Sequence, residues 1–235
     1  MFNVIFEVQP RSGRSKAYLE LAAHLKPLLE TIDGFIDNER FASTSNADRI
    51  LSLSTWRDEK ALVRWRTHGE HHRVQERGRG DVFEDYHLRV GEVMFDSEAA
   101  SAAMLPQDRL DHTQVASAKF ISLTEVMPWS IDADGSTCRL IERLAPPLRS
   151  PDLVDYQVFE SLYNRGKICL LMSWKTAKAA EAWSPPGLSG VKTLRHRIDR
   201  VIRDYGMRER REAPQYYPEP PIGSPALRAA TTGDE

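Results

Sequence analysis

The sequence predicts an α+β protein made of two tandem ferredoxin-like repeats, each with an antiparallel sheet covered by helices. The first observation is an internal match between residues 53–65 (LSTWRDEKALVRW) and residues 171–183 (LMSWKTAKAAEAW). The second is that both segments follow an apolar, strand-like run and precede a basic segment containing histidine. The third is the order of patterns in the first half, which alternates between strand and helix periods as a split βαβ unit does. A repeat of this length indicates one structural unit used twice.

In the first half, residues 3–9 alternate apolar and polar side chains, as a half-buried strand does. Ser15 is expected to cap a helix with a helical apolar period, which Pro27 kinks or breaks and Asp33-Gly34 ends. Residues 35–42 and 49–56 predict a strand hairpin, and Asp58 is expected to cap a helix that runs to Trp65. A helix over 68–77 and a strand over 86–95 complete the unit.

The second half predicts the same order with a shortened first helix. Strands are expected at 118–127, 153–163 and 165–174, with helices at 137–144, 176–183 and 191–203 and a last strand at 205–211. The chain is thus divided into a domain at 1–96, a linker at 97–116, a diverged copy at 117–213 and a proline-rich, partly disordered tail at 214–235.

Composition narrows the class of function. A net charge of −2 offers no field for nucleic acid, and no apolar run is long enough for a transmembrane helix, so neither nucleic acid nor membrane is expected as a partner. Cys138 and Cys169 lack the paired spacing of a zinc site and indicate free buried thiols in a reducing compartment. No signal peptide is recognisable at Met1, and a cytoplasmic location is predicted. No nucleotide, flavin or hydrolase motif is present.

Residues 1–95 resemble the antibiotic biosynthesis monooxygenase (ABM) family of the dimeric α+β barrel superfamily. The resemblance is carried by the strand 4–8 (VIFEV), the segment 51–65 (LSLSTWRDEKALVRW), the helix 68–75 (HGEHHRVQ) and the strand 86–90 (YHLRV). It implies that the two halves pair sheet to sheet into one barrel, as an intramolecular pseudo-dimer, with a homodimer of two chains as an open alternative. Members of the family include cofactor-independent oxygenases of quinol or anthrone-like aromatics and a haem-degrading branch.

The resemblance also implies a site in the first half, where O₂ oxidises a small aromatic or quinol-type substrate without a cofactor or metal. His72 and His87 are the candidate catalytic bases, because imidazole exchanges protons near neutral pH. The candidate substrate-binding residues are Phe6, Val8, Trp65, His68 and Tyr86. His72 is favoured because His196 is expected at the equivalent position of the second repeat, and His87 is favoured because Gly206 replaces it there.

Each candidate has a competing structural interpretation. The tryptophans are also explained as core aromatics, the histidines as a solvated helix face, and Glu7 either as a base with a raised pKa in a dry cavity or as a residue at an edge. Two alternative functions stay open, a haem-binding or haem-degrading enzyme and a barrel that binds a ligand without catalysis. Haem is disfavoured because the axial histidine and pocket asparagine of that branch fall near Gln75 and Phe6.

Overall fold

A computed structural model describes residues 1–46, 48–98, 112–130 and 137–217 of the chain, with backbone only for 137 and 138. The first half contains four strands and three helices, and a π-helical turn at Gly78–Val82 follows the third helix. These elements are β1 (Phe2–Pro10), α1 (Ser15–Leu29), β2 (Phe35–Ser43), β3 (Ile50–Trp56), α2 (Glu59–Arg66), α3 (Gly69–Arg77) and β4 (Phe83–Asp96). The predicted order of elements in this half is confirmed.

The second half repeats the strand order with shorter helices. Its elements are β5 (Phe120–Pro128), α4 (Thr137–Leu144), β6 (Leu153–Ser161), β7 (Ile168–Trp174), α5 (Ala177–Glu181) and β8 (Val191–Gly206). Residues 99–111 of the expected linker and 218–235 of the expected tail lie outside the described residues. None of the described helices combines the length and apolarity needed to cross a bilayer.

The eight strands close into one antiparallel barrel in the order β1-β3-β2-β6-β7-β5-β8-β4. Each half therefore has the ferredoxin-like order 4-1-3-2, and the halves join at two seams, β2 with β6 and β4 with β8. The α+β class with two ferredoxin-like repeats is confirmed. The barrel closes within a single chain.

Alternation along the strands gives the sheet two apolar faces. Ile5, Leu53, Ile121 and Leu171 point into the barrel, where they form a core contributed by both halves. Phe6 and Val8, on the opposite face of β1, pack under the helices of the first half. The space between this outer face and the helices is where the cavity described below lies.

The predicted helix over 191–203 and strand over 205–211 are wrong, because residues 191–206 form the single strand β8. The basic run looked like a solvated helix face, but Arg197 and Asp199 are buried inside the barrel and Ile198 and Ile202 pack on its outside. Strand pairing with both β4 and β5 overrides the local charge pattern.

The repeat counterparts expected for the site residues are also wrong. The register of β1 with β4 and of β5 with β8 makes Leu194 the equivalent of Tyr86 and Arg195 the equivalent of His87. Gly206 is instead the cross-strand neighbour of His87, and His196, a strand residue, is not equivalent to His72.

Helix ends follow the sequence expectations in part. The Asp58 carboxylate accepts a hydrogen bond from the Ala61 backbone N–H, which confirms it as the cap of α2. Ser15 is the first residue of α1 and not its cap, which is Arg14 and offers no side-chain bond. Pro27 lies in the last turn of α1, and the helix continues past it to Leu29.

Candidate functional site

An apolar cavity of about 180 Å³ lies between α1, α2 and α3 and the outer face of the first-half sheet. Its apolar walls are contributed by Val4, Phe6, Leu21, Leu25, Leu62, Trp65, Val74, Leu88 and Val90. The strand residues come from alternate positions of β1 and β4, so their side chains share the face on which the helices pack. The cavity is therefore a gap between the apolar outer face of the sheet and the apolar faces of the helices.

His71 and Trp65 form a stacked pair in the cavity wall. Their ring centroids are 4.2 Å apart with an interplanar angle of 14°. His71 Nδ1 lies 3.0 Å from the Trp65 carbonyl oxygen, and because a carbonyl only accepts, Nδ1 carries the proton. Burial lowers the pKa of His71 to about 4. At neutral pH the ring is uncharged, with Nε2 as its proton acceptor.

The predicted substrate-binding residues divide into two groups. Phe6, Trp65 and Tyr86 line the cavity. Val8 packs in the adjacent apolar cluster without lining the cavity. His68 caps α3, with Nδ1 accepting from the Glu70 backbone N–H at 3.3 Å, and does not line the cavity either.

Neither predicted catalytic histidine lines the cavity. His72 bonds the Tyr217 hydroxyl through Nδ1 at 3.0 Å and approaches Glu76 through Nε2 at 3.3 Å. His87 lies on the opposite face of β4, where its Nε2 is 2.8 Å from Asp204 Oδ1. The helical phase of α3 turns His71 toward the cavity in place of His72.

Glu7 belongs to the barrel interior and not to the cavity. Its carboxylate pairs with Arg89 and lies 3.5 Å from Arg49 Nη1. Neither sequence interpretation of Glu7, a base in a dry pocket or a solvated edge residue, describes a buried ion pair. Both interpretations are therefore wrong.

Five arginines line the cavity, and no aspartate or glutamate does so among the described residues. They are Arg40, Arg66, Arg79, Arg203 and Arg210. Arg79 and Arg210 both donate to the Tyr86 hydroxyl, at 2.5 and 2.6 Å. None of these arginines was predicted from the sequence as a site residue. What these arginines share is that each lies on the face of its element that borders the cavity. That face can be identified only after the secondary-structure elements have been assigned correctly.

Residues 207–217, here called the closing segment, follow β8 and cover the cavity from the second half. Arg210, Pro214, Gln215 and Tyr217 contribute to its lining. The Tyr217 hydroxyl donates to Gln75 Oε1 at 2.9 Å, and the Gln215 amide donates to the Arg66 carbonyl at 3.1 Å. The cavity of the first repeat is thus completed by the end of the second.

The arrangement of side chains around the cavity does not favour a metal or haem site. Within residues 1–46, 48–98, 112–130 and 137–217, no group of three or more His, Cys, Asp or Glu side chains is arranged to hold a metal ion. The cavity volume of about 180 Å³ is below the ~300–1,000 Å³ of pockets for drug-sized ligands, and a tetrapyrrole is larger than most of those. The cavity as it stands does not fit haem.

Two ferredoxin-like halves closed into one barrel, with a cavity under the helices, define a protein of the dimeric α+β barrel class. Residues 1–77 match the model of the antibiotic biosynthesis monooxygenase family. A jasmonate monooxygenase ABM from Pyricularia oryzae (strain 70-15) is 39% identical over 223 residues, which cover 93% of this chain and 99% of that protein. The chain belongs to the antibiotic biosynthesis monooxygenase family, and its function is of the monooxygenase type.

Other relatives cover less of the chain or show the fold alone. The uncharacterized protein YqjZ of Bacillus subtilis (strain 168) is 33% identical over 93 residues, which are 39% of this chain and 78% of that protein. A crystal structure of an aldoxime dehydratase in complex with butyraldoxime superposes with a TM-score of 0.51 at 11% identity, over 86% of this chain and 79% of that one. That likeness confirms the barrel and carries no chemistry.

Proposed function

We propose that the chain is a monooxygenase that uses O₂ to oxidise a small, largely apolar, single-ring compound in the cavity of its first half. The observation that carries the proposal is the mostly apolar, partly open cavity with the neutral His71 in its wall. Apolar walls exclude water from a reactive anion, and a neutral imidazole is able to accept the proton that creates it.

The size of the cavity selects the substrate. An engineered cavity of ~150 Å³ in another protein holds one benzene ring, so about 180 Å³ accommodates one ring with a short substituent. A three-ring anthrone is too large unless the closing segment moves. Jasmonate, which the relative from Pyricularia oryzae is named for, is a one-ring ketone with a carboxymethyl arm and a five-carbon alkenyl chain. It is a candidate substrate here if the longer chain extends toward the open side of the cavity. Single-ring quinols are the second candidate, favoured by the aromatic walls Phe6, Trp65 and Tyr86.

The chemistry needs no cofactor if the substrate supplies the electrons. His71 Nε2 takes a proton from a phenol or from the carbon next to a ketone. Because the pKa of His71 is lowered to about 4, this transfer is uphill, and it requires the arginines that line the cavity to stabilise the phenolate or enolate as it forms. That anion reduces O₂ directly. When a CH₂ group becomes C=O with water as the second product, one O₂ is consumed and no external reductant is required. Arginines beside the cavity stabilise the developing negative charge.

The experiment is oxygen consumption by metal-stripped protein with jasmonate, methyl jasmonate and single-ring quinols, with a three-ring anthrone as the size control. We expect uptake with a one-ring compound that survives chelation, together with incorporation of one ¹⁸O atom from ¹⁸O₂ into the product. Uptake that appears only after haemin is added would instead support the haem enzyme. Tight binding without uptake in any condition would support a ligand-binding barrel.

A further inference from the structure

Arg40 is a buried cation in the cavity wall. It lies on β2 opposite Ser52 of β3, and its side chain is directed to the helix-covered face because its neighbour Phe41 points into the barrel. Only 8% of Arg40 is exposed. Its guanidinium is therefore held at the cavity and away from bulk water.

The neighbours of Arg40 are neutral. Its Nη1 donates to the Tyr163 hydroxyl at 3.3 Å, and its Nε is buried without a hydrogen-bond partner. No carboxylate among the described residues lies within 4 Å of it. Burial raises the pKa of Tyr18, the other phenol beside Arg40, so at neutral pH that phenol does not supply a negative charge.

The buried arginines inside the barrel behave differently. Arg89 is paired with Glu7 and Arg197 with Glu125, so each buried guanidinium there has a carboxylate. A buried charge without such a partner is strongly unfavourable, because desolvation is not offset by attraction. Arg40 is the exception, and it lies at the cavity, where a bound ligand has room to supply the missing negative charge.

Other side chains around the cavity also carry positive charge. Arg66 and Arg203 also line it without a carboxylate within 4 Å in the described part of the chain, and the Arg66 Nε is buried without a partner. An organic anion is the complement of an apolar space bordered by cations. Guanidinium binds a carboxylate through two parallel N–H···O bonds, which fixes the orientation of the ligand.

We propose that the cavity binds its substrate as an organic carboxylate, with the carboxylate paired to Arg40 and the apolar ring toward Trp65. The proposal rests on the proposed function only in that both place the substrate in this cavity. It does not depend on which reaction takes place there. It deepens that function by naming the charged group that the substrate must carry. It also makes Arg40 a specificity-determining residue.

The test is calorimetric binding of jasmonate, benzoate and the neutral methyl jasmonate to the full chain under nitrogen. Wild type is compared with Arg40→Met and with the control Arg73→Met, whose side chain is 73% exposed. We expect wild type and Arg73→Met to bind jasmonate at least about 10-fold more tightly than its ester. Arg40→Met should lose that preference while it still binds the ester.

Equal binding of acid and ester by wild type would overturn the proposal, and so would a preference that survives in Arg40→Met. Failure of both carboxylates to bind wild type below about 10 mM, which is close to no specific affinity, would also overturn it. These outcomes are separate from the oxygen assay, because carboxylate binding without O₂ uptake contradicts only the proposed reaction.

Thermal unfolding of the ligand-free protein separates a binding role from a structural one. If the Arg40 charge is compensated only when a ligand is bound, Arg40→Met removes an uncompensated buried charge from the ligand-free protein. The variant should then have a melting temperature higher by about 2 °C or more. Jasmonate should then stabilise wild type but not the variant. A melting temperature lowered by several degrees would show that Arg40 supports the fold, and would overturn the proposal.

Discussion

His71 combines three properties that a general base needs, namely contact with the cavity, a fixed tautomer and a neutral ring at working pH. We predict that His71→Gln lowers kcat by about 100-fold or more, the usual contribution of a positioned base. His24→Gln is the matched control, because the His24 side chain is 57% exposed and lies 2.9 Å from Glu70, outside the cavity lining. Steady-state kinetics with the substrate found in the oxygen assay is the measurement.

The pH profile of wild type tests the same assignment. Because the His71 pKa is lowered to about 4, the ring stays unprotonated at all higher pH, and the rate should be level above about pH 5 and fall toward pH 4. An inflection near 6.5, the ordinary value for imidazole, would show that a group other than His71 controls the rate. Unchanged kcat in His71→Gln would contradict the base role outright.

Asp199 gives a prediction about stability. It is fully buried beside Asn3, which donates to its Oδ2 at 2.8 Å, while Oδ1 has no partner. Burial raises its pKa to about 6. The folded state therefore binds the proton more tightly than the unfolded state, and wild-type stability declines as pH rises from about 4 to 6.

Asp199→Asn removes that buried charge. We expect its free energy of unfolding at pH 7.5 to exceed that of wild type by about 1–3 kcal/mol. The difference should shrink as pH falls through 6 and vanish near pH 4, where wild type is protonated. Urea unfolding at several pH values is the measurement, and a less stable variant at pH 7.5 would show that the charge has a structural role.

The site was predictable from sequence only as far as strand alternation and the family pattern extend. Phe6 and Trp65 follow from such patterns, and both line the cavity. The choice between His71 and His72 depends on helix phase, since adjacent residues lie about 100° apart around a helix. Arg40 has no sequence signal at all, because a buried and an exposed arginine look alike in a strand.

At the level of elements, the closing segment connects the second half to the cavity of the first. Tyr217 is its anchor, since its hydroxyl contacts His72 and Gln75 and its ring lies 4.9 Å from the Arg79 guanidinium. We predict that Tyr217→Phe loosens this cover, raising KM several-fold with a smaller change in kcat. Tyr216→Phe is the control, because Tyr216 is 88% exposed. Equal KM values in the two variants would show that the segment does not hold the substrate in.

Prediction of the elements failed where the partners of a segment lie far away in sequence. The order of elements in residues 1–96 was assigned correctly because β1, α1 and α2 carry their own apolar periods and α2 its own cap. In β8 the apolar and charged residues are both buried, and the charges are paired with residues from other strands, such as Glu125 on β5. No local period shows this, so a long strand was mistaken for a helix and a short strand.

At the scale of the whole molecule, two equivalent ion pairs inside the barrel connect the two halves. Arg89 pairs with Glu7 of its own half and also donates to the Ser173 hydroxyl of the other half, at 3.0 Å. Arg197 pairs with Glu125 and donates to the Thr55 hydroxyl, also at 3.0 Å. Each arginine therefore joins the two halves, and the shared apolar core surrounds both pairs.

Because these links cross the pseudo-two-fold axis, the two halves should unfold as one unit despite their origin as repeats. We predict that Arg197→Met lowers the free energy of unfolding by about 1.5–3 kcal/mol, since Glu125 loses one buried cation but keeps Lys167 at 2.7 Å. Hydrogen exchange resolved by peptide should show the same loss of protection in β1 as in β5, because a shared core cannot open on one side alone. If the loss of protection is confined to β5–β8 and β1 is unchanged, the two halves unfold independently although they form one barrel. Arg211→Met is the control, because the Arg211 pair with Glu209 lies within the second half and its side chain is 70% exposed.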